Sequence, residues 1–442
     1  MMDLELKRGD FGGSLGAREI ANSIEELIKS HRVAFNSKLP AIRDLARTLG
    51  VSPTTAASAY RELERRGVAK GQGRAGTLVA RRSVGLGGAR VFHMGPAESE
   101  SAANDYSTGY PDPRVLLDYS RFAEVAASGA SARTFLNRAV CEELAEPLKV
   151  LLGVGDDELT VVNGSLDALD RVLAQVCVPG DRVVVEEPNF PPIFDLLEVH
   201  RLIATPVRSD ADGIVPQSLV QALQMRPRAM IMQPRAQNPT GVSMSGTRFD
   251  ELAALLFDSD ITTLIEDDHS GLVSMSPRRS LRGSIRADVV TIFGFSKSHG
   301  PDLRISAIAA PPQLISRIVA RRRLGPSWTS EILQRILALT LKDPRAQDEV
   351  ERARQIYSKR LMGLVDCLSE TPSPVWSRDG LNAWVPVSSE IGAITDLARI
   401  GMVVAPGSAF HLVPPQQPHI RITTASLASE IEAMMPVLRR WL

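Results

Sequence analysis

The stretch FGFSKSHGPDLRIS, Phe293–Ser306, places a lysine and an arginine directly after a run of apolar residues. Residues 289–293, VVTIF, predict a buried β-strand, and this strand delivers Ser296 and Lys297 to its carboxyl end. Arg304 follows seven residues after the lysine, across a glycine and a proline that interrupt regular structure. Because burial disfavours the ammonium form, a lysine at such a position becomes an amine nucleophile.

The aldehyde of pyridoxal 5′-phosphate (PLP) is the commonest covalent partner of such a lysine. Ser296 and Arg304 would then hold the phosphate of PLP. The alternative is a surface loop with a solvated lysine, because Ser-Lys pairs are frequent in proteins. The rest of the chain favours the first interpretation.

Length and composition limit the class of protein. A chain of 442 residues predicts two or three domains. Its hydrophobic content of 44% and charged content of 23% are typical of soluble globular proteins. The three cysteines fit no metal-binding spacing and are expected to be buried thiols in a reducing compartment. With no membrane-length apolar run and no signal-peptide pattern, a cytoplasmic protein without membrane contact is predicted.

The first eighty residues predict a DNA-binding module. One helical stripe covers 20–28, and a second consists of Ile42, Leu45, Ala46 and Leu49. Gly50 ends the second helix, and Ser52 is placed to cap a third helix that begins at Pro53. Two short helices joined by a tight turn predict a helix-turn-helix, and strand-like pieces around the glycine-rich tip at 72–76 predict a wing.

Charge supports this prediction. From Lys38 to Arg82 there are ten lysines and arginines against three acids, a balance of +7 in a chain whose formal net charge is zero. Such a concentration is expected where a protein binds phosphates of nucleic acid. The alternative is a helical protein-interaction module with a solvated basic face.

Beyond residue 108 predicted strands alternate with helices, which indicates an α/β domain with a mostly parallel sheet. Ligands of such sheets bind beyond the carboxyl ends of the strands. Polar or aromatic residues follow five predicted strands, at Gly164–Ser165, Asn189–Phe190, Asn238, Asp267–His269 and Lys297. Together they offer PLP an amine, an acid for its ring nitrogen, a donor for its ring oxygen, an aromatic face and an anion cradle.

The run LPAIRDLARTLGVSPTTAASAYRELERRGVAKGQGRAGTLVA resembles the winged helix-turn-helix of GntR-type bacterial repressors. The resemblance implies that a set of exposed residues faces DNA, namely Arg43, Ser52, Thr54, Thr55, Gly73 and Arg74. Pro53 and Ala57 stand where members of the family carry arginine. Readout of guanine by arginine is therefore expected to be weaker here, and the hydroxyl groups and the wing to matter more.

The segment from Thr108 to the carboxyl terminus resembles PLP-dependent aminotransferases of fold type I. The whole chain is therefore similar to the MocR family of regulators, and the runs PRAQNPTG, EDDHSGL, SKSHGPDLR and DGLNAWVPV are closest to its PtsJ-like members. The predicted organisation is a winged helix-turn-helix at 12–82, a linker at 83–107, a PLP-binding large domain at 108–310 and a small C-terminal α/β domain at 311–442.

The resemblance also implies roles for single residues. Lys297 matches the lysine that binds the PLP aldehyde, Asp267 the acid at the ring nitrogen, and Asn238 the partner of the ring oxygen. Phe190 matches the aromatic residue on the ring face, and Arg421 matches the arginine that binds a substrate carboxylate. Phosphate contacts are implied for Ser165, the Leu166 amide, Ser296 and Arg304.

Two departures from the family pattern bear on activity. His269 stands where most members have a tyrosine; its imidazole can donate to the ring oxygen, with a charge expected to vary near neutral pH. The segment SGASARTFLNRAVCEEL lacks the Tyr-Gly pair that completes the partner subunit's cofactor site in aminotransferases. Both departures favour PLP binding without efficient turnover. The arginines at 321–323 are expected on a solvated face, and the alternative is a contact with DNA or with the regulatory domain.

The sequence thus predicts a cytoplasmic homodimer that binds double-stranded operator DNA and senses PLP, or an amino compound joined to PLP. The alternative is a PLP-dependent aminotransferase, with at least slow half-transamination and an accessory DNA-binding module. A relic that no longer binds PLP is disfavoured, because the groups that PLP needs, among them Lys297, Asp267 and Asn238, survive.

Overall fold

The structure, a computed structural model, describes residues 8, 15–29, 33, 37–65, 68–71, 76–79, 104–129, 138–369 and 374–442. The chain divides into two compact units, residues 1–87 and 88–442. None of the helices within the described ranges is both long and apolar enough to cross a membrane.

The first unit is a winged helix-turn-helix, as predicted. Its helices are α1 Ala17–Lys29, α2 Ile42–Leu49 and α3 Pro53–Arg65, and its strands are β1 Ala69–Gly71 and β2 Thr77–Val79. The two strands pair as an antiparallel hairpin, which forms the wing. The apolar stripes of the three helices meet in one buried cluster that includes Ile24, Leu45 and Leu63.

The ends of α2 and α3 follow the local sequence. Gly50 adopts a left-handed conformation with φ of 69° and its N–H bonds the carbonyl of Ala46, which ends α2. The Ser52 hydroxyl accepts a hydrogen bond of 3.0 Å from the Thr55 amide and so caps α3. One expectation is wrong: Ile42 is 38% exposed, because the buried stripe of α2 begins only at Leu45.

The second unit contains a large sheet of β4 Leu159–Val162, β5 Arg182–Glu187, β6 Ile203–Asp210, β7 Gly213–Ile214, β8 Ala229–Met232, β9 Thr263–Asp268, β10 Asp288–Gly294 and β11 Ser306–Ala309. Their order is β4-β11-β10-β9-β8-β5-β6-β7. The run from β10 to β6 is parallel, whereas β11 is antiparallel to both of its neighbours and β7 to β6. The predicted mostly parallel sheet is confirmed.

Helices cover both faces of this sheet. The helices of the second unit are α4 Ser120–Gly129, α5 Glu142–Leu152, α6 Ser165–Val176, α7 Pro191–Val199, α8 Pro216–Leu223, α9 Gly246–Phe257, α10 Pro312–Arg322, α11 Glu331–Lys342, α12 Pro344–Cys367, α13 Glu390–Arg399 and α14 Ile431–Leu438. Of these, α13 and α14 pack against the smaller sheet instead. Val183 and Val185 of β5 pack on one side with α6, α7 and α10, whereas Val184 packs on the other with α8 and α9. Burial on both faces explains the continuous apolar stretches within the inner strands, such as 183–185 and 229–232.

A smaller sheet completes the unit. It consists of β3 Asn104–Tyr106, β12 Asn382–Pro386, β13 Met402–Pro406 and β14 His419–Thr423, in the order β12-β14-β13-β3. The linker predicted for 83–107 is therefore wrong at its carboxyl end, because residues 104–106 pair in parallel with 402–404. The remainder of that predicted linker lies outside the described residues.

A buried carboxylate joins the small sheet to the large domain. Asp379 accepts hydrogen bonds from the Ser243 hydroxyl at 2.8 Å, the Ser274 hydroxyl at 2.6 Å and the Met275 amide at 2.8 Å. Burial alone would raise the pKa of Asp379, but these hydrogen bonds outweigh burial and lower it. The carboxylate is thus charged at neutral pH and fixes the loop that precedes β12.

Candidate functional site

Lys297 lies in the turn that follows β10, at the carboxyl edge of the large sheet. Its Nζ donates a hydrogen bond of 2.6 Å to the carbonyl oxygen of Gly109 and lies 6.0 Å from the centre of the Tyr110 ring. Burial, and secondly the charge of Arg421, lower the pKa of Lys297 to about 8. A substantial fraction of the amine is therefore unprotonated just above neutral pH.

Asp267 is the buried acid of the same edge. It lies in β9, opposite Ile292 of β10, and is 3% exposed. Its Oδ2 accepts a hydrogen bond of 3.2 Å from Gln233 Nε2, whereas Oδ1 has no hydrogen-bond partner among the described residues. Burial, with the nearby charge of Asp268, raises the pKa of Asp267 to about 7. A buried carboxyl with one unused oxygen is suited to a protonated ring nitrogen.

Arg421, in β14, is fully buried. One terminal nitrogen donates to Asn238 Oδ1 at 3.1 Å, and the other donates to the carbonyl of Ser107. The guanidinium carbon lies 4.8 Å from the centre of the Phe410 ring. Burial lowers the pKa of Arg421 to about 9, so the side chain is still charged at neutral pH. Both terminal nitrogens are thus engaged by oxygens of the chain itself, whereas Nε has no hydrogen-bond partner among the described residues.

The turn before α6 forms an anion cradle. Gly164 has a φ of 104°, and a Cβ built there would lie 2.8 Å from Arg304 Nη2. Arg304 Nη2 donates to the Asn163 carbonyl at 2.8 Å, so the guanidinium lies across the bare backbone of the glycine. The Ser165 hydroxyl, 3.0 Å from the Ser306 hydroxyl, and the Leu166 amide belong to the first turn of α6. Amides at a helix start, with an arginine beside them, suit a phosphate.

His269 differs from the expectation. Its Nε2 lies 3.0 Å from the Ala236 carbonyl, and because a carbonyl only accepts, Nε2 carries the proton. Burial, with the charge of Lys297, lowers the pKa of His269 to about 4. The prediction of a charge that varies near neutral pH is therefore wrong: the imidazole is neutral there, and its proton is committed to Ala236.

Two other predicted residues lie at this edge without a resolved role. Phe190 directly precedes α7, is half-buried, and packs against the core between the sheet and α6 and α7. Ser296 is half-buried beside Lys297. Stacking by Phe190 and phosphate binding by Ser296 stay predictions.

Sequence reasoning did not identify Gly109, Tyr110 and Gln233. Gly109 and Tyr110 contact Lys297, and the side chain of Gln233 bonds both Asp267 and the Asn238 amide, the latter at 2.8 Å. Gly109 is 188 residues from Lys297, and its carbonyl has no side-chain signature in a sequence. The glycine-tyrosine-proline turn at 109–111 was the available signal.

On the proposed DNA-binding side, Arg43, Ser52 and Thr54 are exposed and Thr55 is half-buried. The Ser52 and Thr55 hydroxyls lie 2.8 Å apart, so the two are hydrogen-bonded to each other at the start of α3. The predicted wing contacts Gly73 and Arg74 lie outside the described residues. The contacts of all these residues with DNA stay predictions.

The residues at the edge of the large sheet fit PLP. The unused Oδ1 of Asp267 suits the ring nitrogen, and the bare backbone of Gly164 beside Arg304 suits the phosphate. Lys297, in the turn after β10, is the amine that the aldehyde requires. In this site Arg304, Ser165 and the Leu166 amide would hold the phosphate.

Comparison with known proteins agrees with both units. Residues 102–434 match the family "Aminotransferase class I and II", and residues 17–79 match "Bacterial regulatory proteins, gntR family". Over 425 residues the chain is 32% identical to the vitamin B6 salvage pathway transcriptional repressor PtsJ of Salmonella typhimurium, covering 95% of this chain and 96% of the repressor. It is 26% identical to the uncharacterized HTH-type transcriptional regulator YhdI of Bacillus subtilis, covering 87% and 86%.

Among solved structures, LysN, the α-aminoadipate aminotransferase of Thermus thermophilus, superimposes with a TM-score of 0.68 at 19% identity, covering 80% of this chain and 97% of LysN. The kynurenine aminotransferase of Pyrococcus horikoshii gives a TM-score of 0.67 at 20% identity, covering 77% and 90%. These likenesses show the aminotransferase fold of the second unit. With its winged helix-turn-helix, that fold and its similarity to PtsJ along nearly the whole length, the chain belongs to the MocR family of GntR-type transcriptional regulators.

Proposed function

We propose that this protein is a cytoplasmic, homodimeric regulator that binds operator DNA through its winged helix and responds to PLP bound at Lys297. The observation that carries the proposal is that two buried groups lie at the same edge of the large sheet. They are Lys297, whose pKa is lowered to about 8, and Asp267, an acid with one oxygen that has no hydrogen-bond partner among the described residues. The repressor PtsJ, whose name refers to vitamin B6 salvage, supports the choice of PLP as the signal.

PLP, when bound, supplies an aldehyde that can form a covalent bond with an amine, and a ring nitrogen that can carry a proton. Lys297 provides the amine and is kept from full protonation by its buried position. Asp267 holds the ring-nitrogen proton at Oδ1, while Gln233 fixes Oδ2. Arg304 and the first amides of α6 bind the phosphate.

The state of Arg421 favours PLP itself over an amino acid as the effector. An amino acid would bring a carboxylate, and to bond both terminal nitrogens this carboxylate would have to displace the Ser107 and Asn238 oxygens from a fully buried guanidinium. PLP carries no carboxylate and leaves these hydrogen bonds in place. For PLP, Lys297 would have to give up its hydrogen bond with the Gly109 carbonyl, and its condensation with the aldehyde would release one water molecule.

The cofactor assignment is tested by trapping. Borohydride reduction of the protein with PLP should label Lys297, which peptide mass spectrometry identifies. Lys297→Ala should lose the label and stay folded, whereas Lys359→Ala, which changes an exposed lysine of α12, should keep it. A label on another lysine, or no label, would show that PLP is not bound at this edge of the sheet.

The regulatory assignment is tested on the DNA upstream of the protein's own gene, by footprinting and by salt-dependent affinity with and without PLP. Arg43→Ala should weaken binding to all sequences and reduce its salt dependence, because a phosphate contact releases a counterion. Thr54→Ala should change sequence preference more than overall affinity. Full-strength operator binding by a chain that starts at Thr108 would contradict a role for the winged helix.

The choice of effector is tested with three variants in the same assay. Arg421→Ala should retain the PLP-dependent change in DNA affinity, while Lys297→Ala and Asp267→Ala should lose or reduce it. An unchanged PLP response in Lys297→Ala would contradict PLP as the covalently bound signal. Loss of the response in Arg421→Ala would instead indicate an effector that carries a carboxylate.

Aminotransferase activity is a second candidate, because Arg421 and Asn238 lie at the same site as Lys297. Once its carbonyl partner is displaced, a buried guanidinium could hold a substrate carboxylate. Incubation of the PLP-loaded protein with amino acids, followed by a keto-acid assay, tests this activity. Sustained keto-acid formation would favour the enzyme; PLP-dependent DNA binding without keto-acid formation favours the regulator.

A further inference from the structure

The turn that opens α6 is held from behind by residues outside the contacts described above. Asn163 directly precedes Gly164. The backbone carbonyl of Asn163 accepts a hydrogen bond of 2.8 Å from Arg304, and its backbone N–H donates to Asp167 Oδ2 at 3.0 Å. The side-chain Oδ1 of Asn163 lies 2.9 Å from the Thr329 hydroxyl. The residue before the glycine is therefore fixed through its nitrogen, its carbonyl and its side chain.

The hydroxyl of Thr329 links two groups in a defined direction. The hydroxyl is buried, and it donates a hydrogen bond to Asn163 Oδ1, because the oxygen of a side-chain amide can only accept. Its oxygen accepts in turn from Arg322 Nη2 at 3.1 Å. The Thr329 carbonyl accepts from Gln334 Nε2 at 2.8 Å, so the backbone of the threonine is also fixed.

The series of hydrogen bonds that runs through Thr329 to Asn163 begins at Arg322, the last residue of α10, which is fully buried. Its acceptors are neutral: the Val161 carbonyl and the Thr329 hydroxyl. Its Nε has no hydrogen-bond partner among the described residues. Burial lowers the pKa of Arg322 to about 10, so it is charged at neutral pH. The expectation of a solvated face for 321–323 is wrong for this residue.

A buried cation bonded only to neutral groups is unfavourable unless an anion compensates its charge. The carboxylate of Asp167 is already engaged by Arg171 Nε at 2.9 Å and by the Asn163 amide. Arg322 and, on the other side of the turn, Arg304 form no ion pair with a carboxylate among the described residues, which leaves an excess of two positive charges. A phosphate monoester dianion carries the charge that balances this excess, whereas a carboxylate carries half of it.

We propose that Arg322 and Thr329 are positioning residues of the anion cradle, and that they adapt it to a phosphate monoester dianion. Thr329 orients Asn163, which sets the direction of the amides that follow it, and Arg322 adds a buried positive charge beneath those amides. The proposal rests on the proposed function, because the phosphate in question is that of PLP.

The test compares PLP with pyridoxal, which has the aldehyde and the ring but no phosphate. Thr329→Val has nearly the same shape but leaves Asn163 Oδ1 and Arg322 Nη2 without this partner. The dissociation constant of PLP should rise about 5- to 150-fold, the range expected when buried hydrogen-bonding groups lose their partner. That of pyridoxal should not change, because Lys297 and Asp267 are untouched.

Two further variants distinguish positioning from general damage. Thr340→Val removes another buried threonine hydroxyl, which donates to the Leu337 carbonyl at 2.8 Å within α11, and should leave PLP binding unchanged. Thr329→Ser keeps the hydroxyl and should restore most of the PLP affinity. Asn163→Ala, at a half-buried position, removes the same contact from its other end and should repeat the effect of Thr329→Val.

Each result bears on the proposal. Selective loss of PLP affinity in Thr329→Val and Asn163→Ala supports it. Unchanged PLP affinity in both, or equal loss of PLP and pyridoxal affinity, overturns it while the proposed function stands. If the wild-type protein captures neither aldehyde at Lys297, the proposed function fails first and this inference fails with it.

Discussion

The substitution Gly164→Ala tests whether the start of α6 binds the phosphate. Gly164 has φ 104° and ψ 165°, a region that residues with a Cβ adopt at a cost of about 1–3 kcal/mol. The new Cβ would also lie 2.8 Å from Arg304 Nη2 and 3.1 Å from its Cζ. The guanidinium of Arg304 must therefore move, and its hydrogen bond to the Asn163 carbonyl is lost.

A hydrogen bond to a charged group contributes about 1.5–3 kcal/mol. Since about 1.4 kcal/mol is a factor of ten, displacement of Arg304 should raise the dissociation constant of PLP about 10- to 150-fold. Pyridoxal should bind as to the wild type, because it has no phosphate. Absorbance titration with each aldehyde measures both constants, and urea unfolding measures the strain separately.

Gly180→Ala is the matched control. Gly180 has a φ of 98°, and a Cβ there would meet no atom of the described residues within 4 Å. Both substitutions should lower the free energy of unfolding, by about 1–3 kcal/mol for backbone strain, but only Gly164→Ala should lose PLP affinity. Unchanged PLP binding in Gly164→Ala, or an equal loss in Gly180→Ala, would refute the assignment of the cradle.

Three further predictions concern stability. Because the pKa of Asp267 is raised to about 7, the free energy of unfolding of the cofactor-free protein should fall as the pH rises from about 4 to about 7. Asp267→Asn should abolish the part of this fall that Asp267 causes, which urea unfolding at pH 5 and pH 8 measures. Asp379→Asn should lower the free energy of unfolding at pH 7 by about 3 kcal/mol. Since the pKa of Asp379 is lowered, this difference between the two proteins should shrink as the pH falls below about 4. Ser52→Ala removes the cap of α3 and should lower the stability of the winged helix by about 1 kcal/mol, measurable by circular-dichroism melting.

The strands and the winged helix were predictable because their patterns are local. Apolar runs such as 183–185 and 289–293 are buried from both sides, and burial of this kind is readable from composition alone. The stop at Gly50 and the cap at Ser52 each depend on residues within four positions. Sequence patterns therefore predict well where α2 ends and where α3 begins.

The carbonyl partners of the site were not predictable, because main-chain oxygens have no signature of their own. Ser107 and Gly109 contact Arg421 and Lys297 across 314 and 188 residues of chain. Their position follows from strand β3, which pairs with β13 and brings the next residues over the site. A strand of three residues in a segment of loop-like composition has no periodicity that distinguishes it from a linker.

The burial of Arg322 could have been predicted from the sequence. Ile315, Ile318 and Arg322 are spaced by three and four residues, the spacing of one helical face, and the two isoleucines are core residues. Arg321 and Arg323 fall on the other side of α10 and are exposed. A run of three arginines suggests one solvated face, but helical periodicity separates the middle one from its neighbours.

The charges of the site explain why one ligand can satisfy both of its titrating groups. Burial moves the pKa of Lys297 down to about 8 and that of Asp267 up to about 7, so each group lies close to neutralisation near physiological pH. A protonated lysine, like an ionised acid, is a buried charge that is unfavourable without a partner. A ligand with an aldehyde and a basic ring nitrogen uses the neutral amine and pairs with the ionised carboxylate at once. Binding of PLP therefore compensates the buried lysine and the buried acid in one step. Because the pKa values of Lys297 and Asp267 are about 8 and about 7, occupancy of the site by PLP should depend steeply on pH between about 6 and 8.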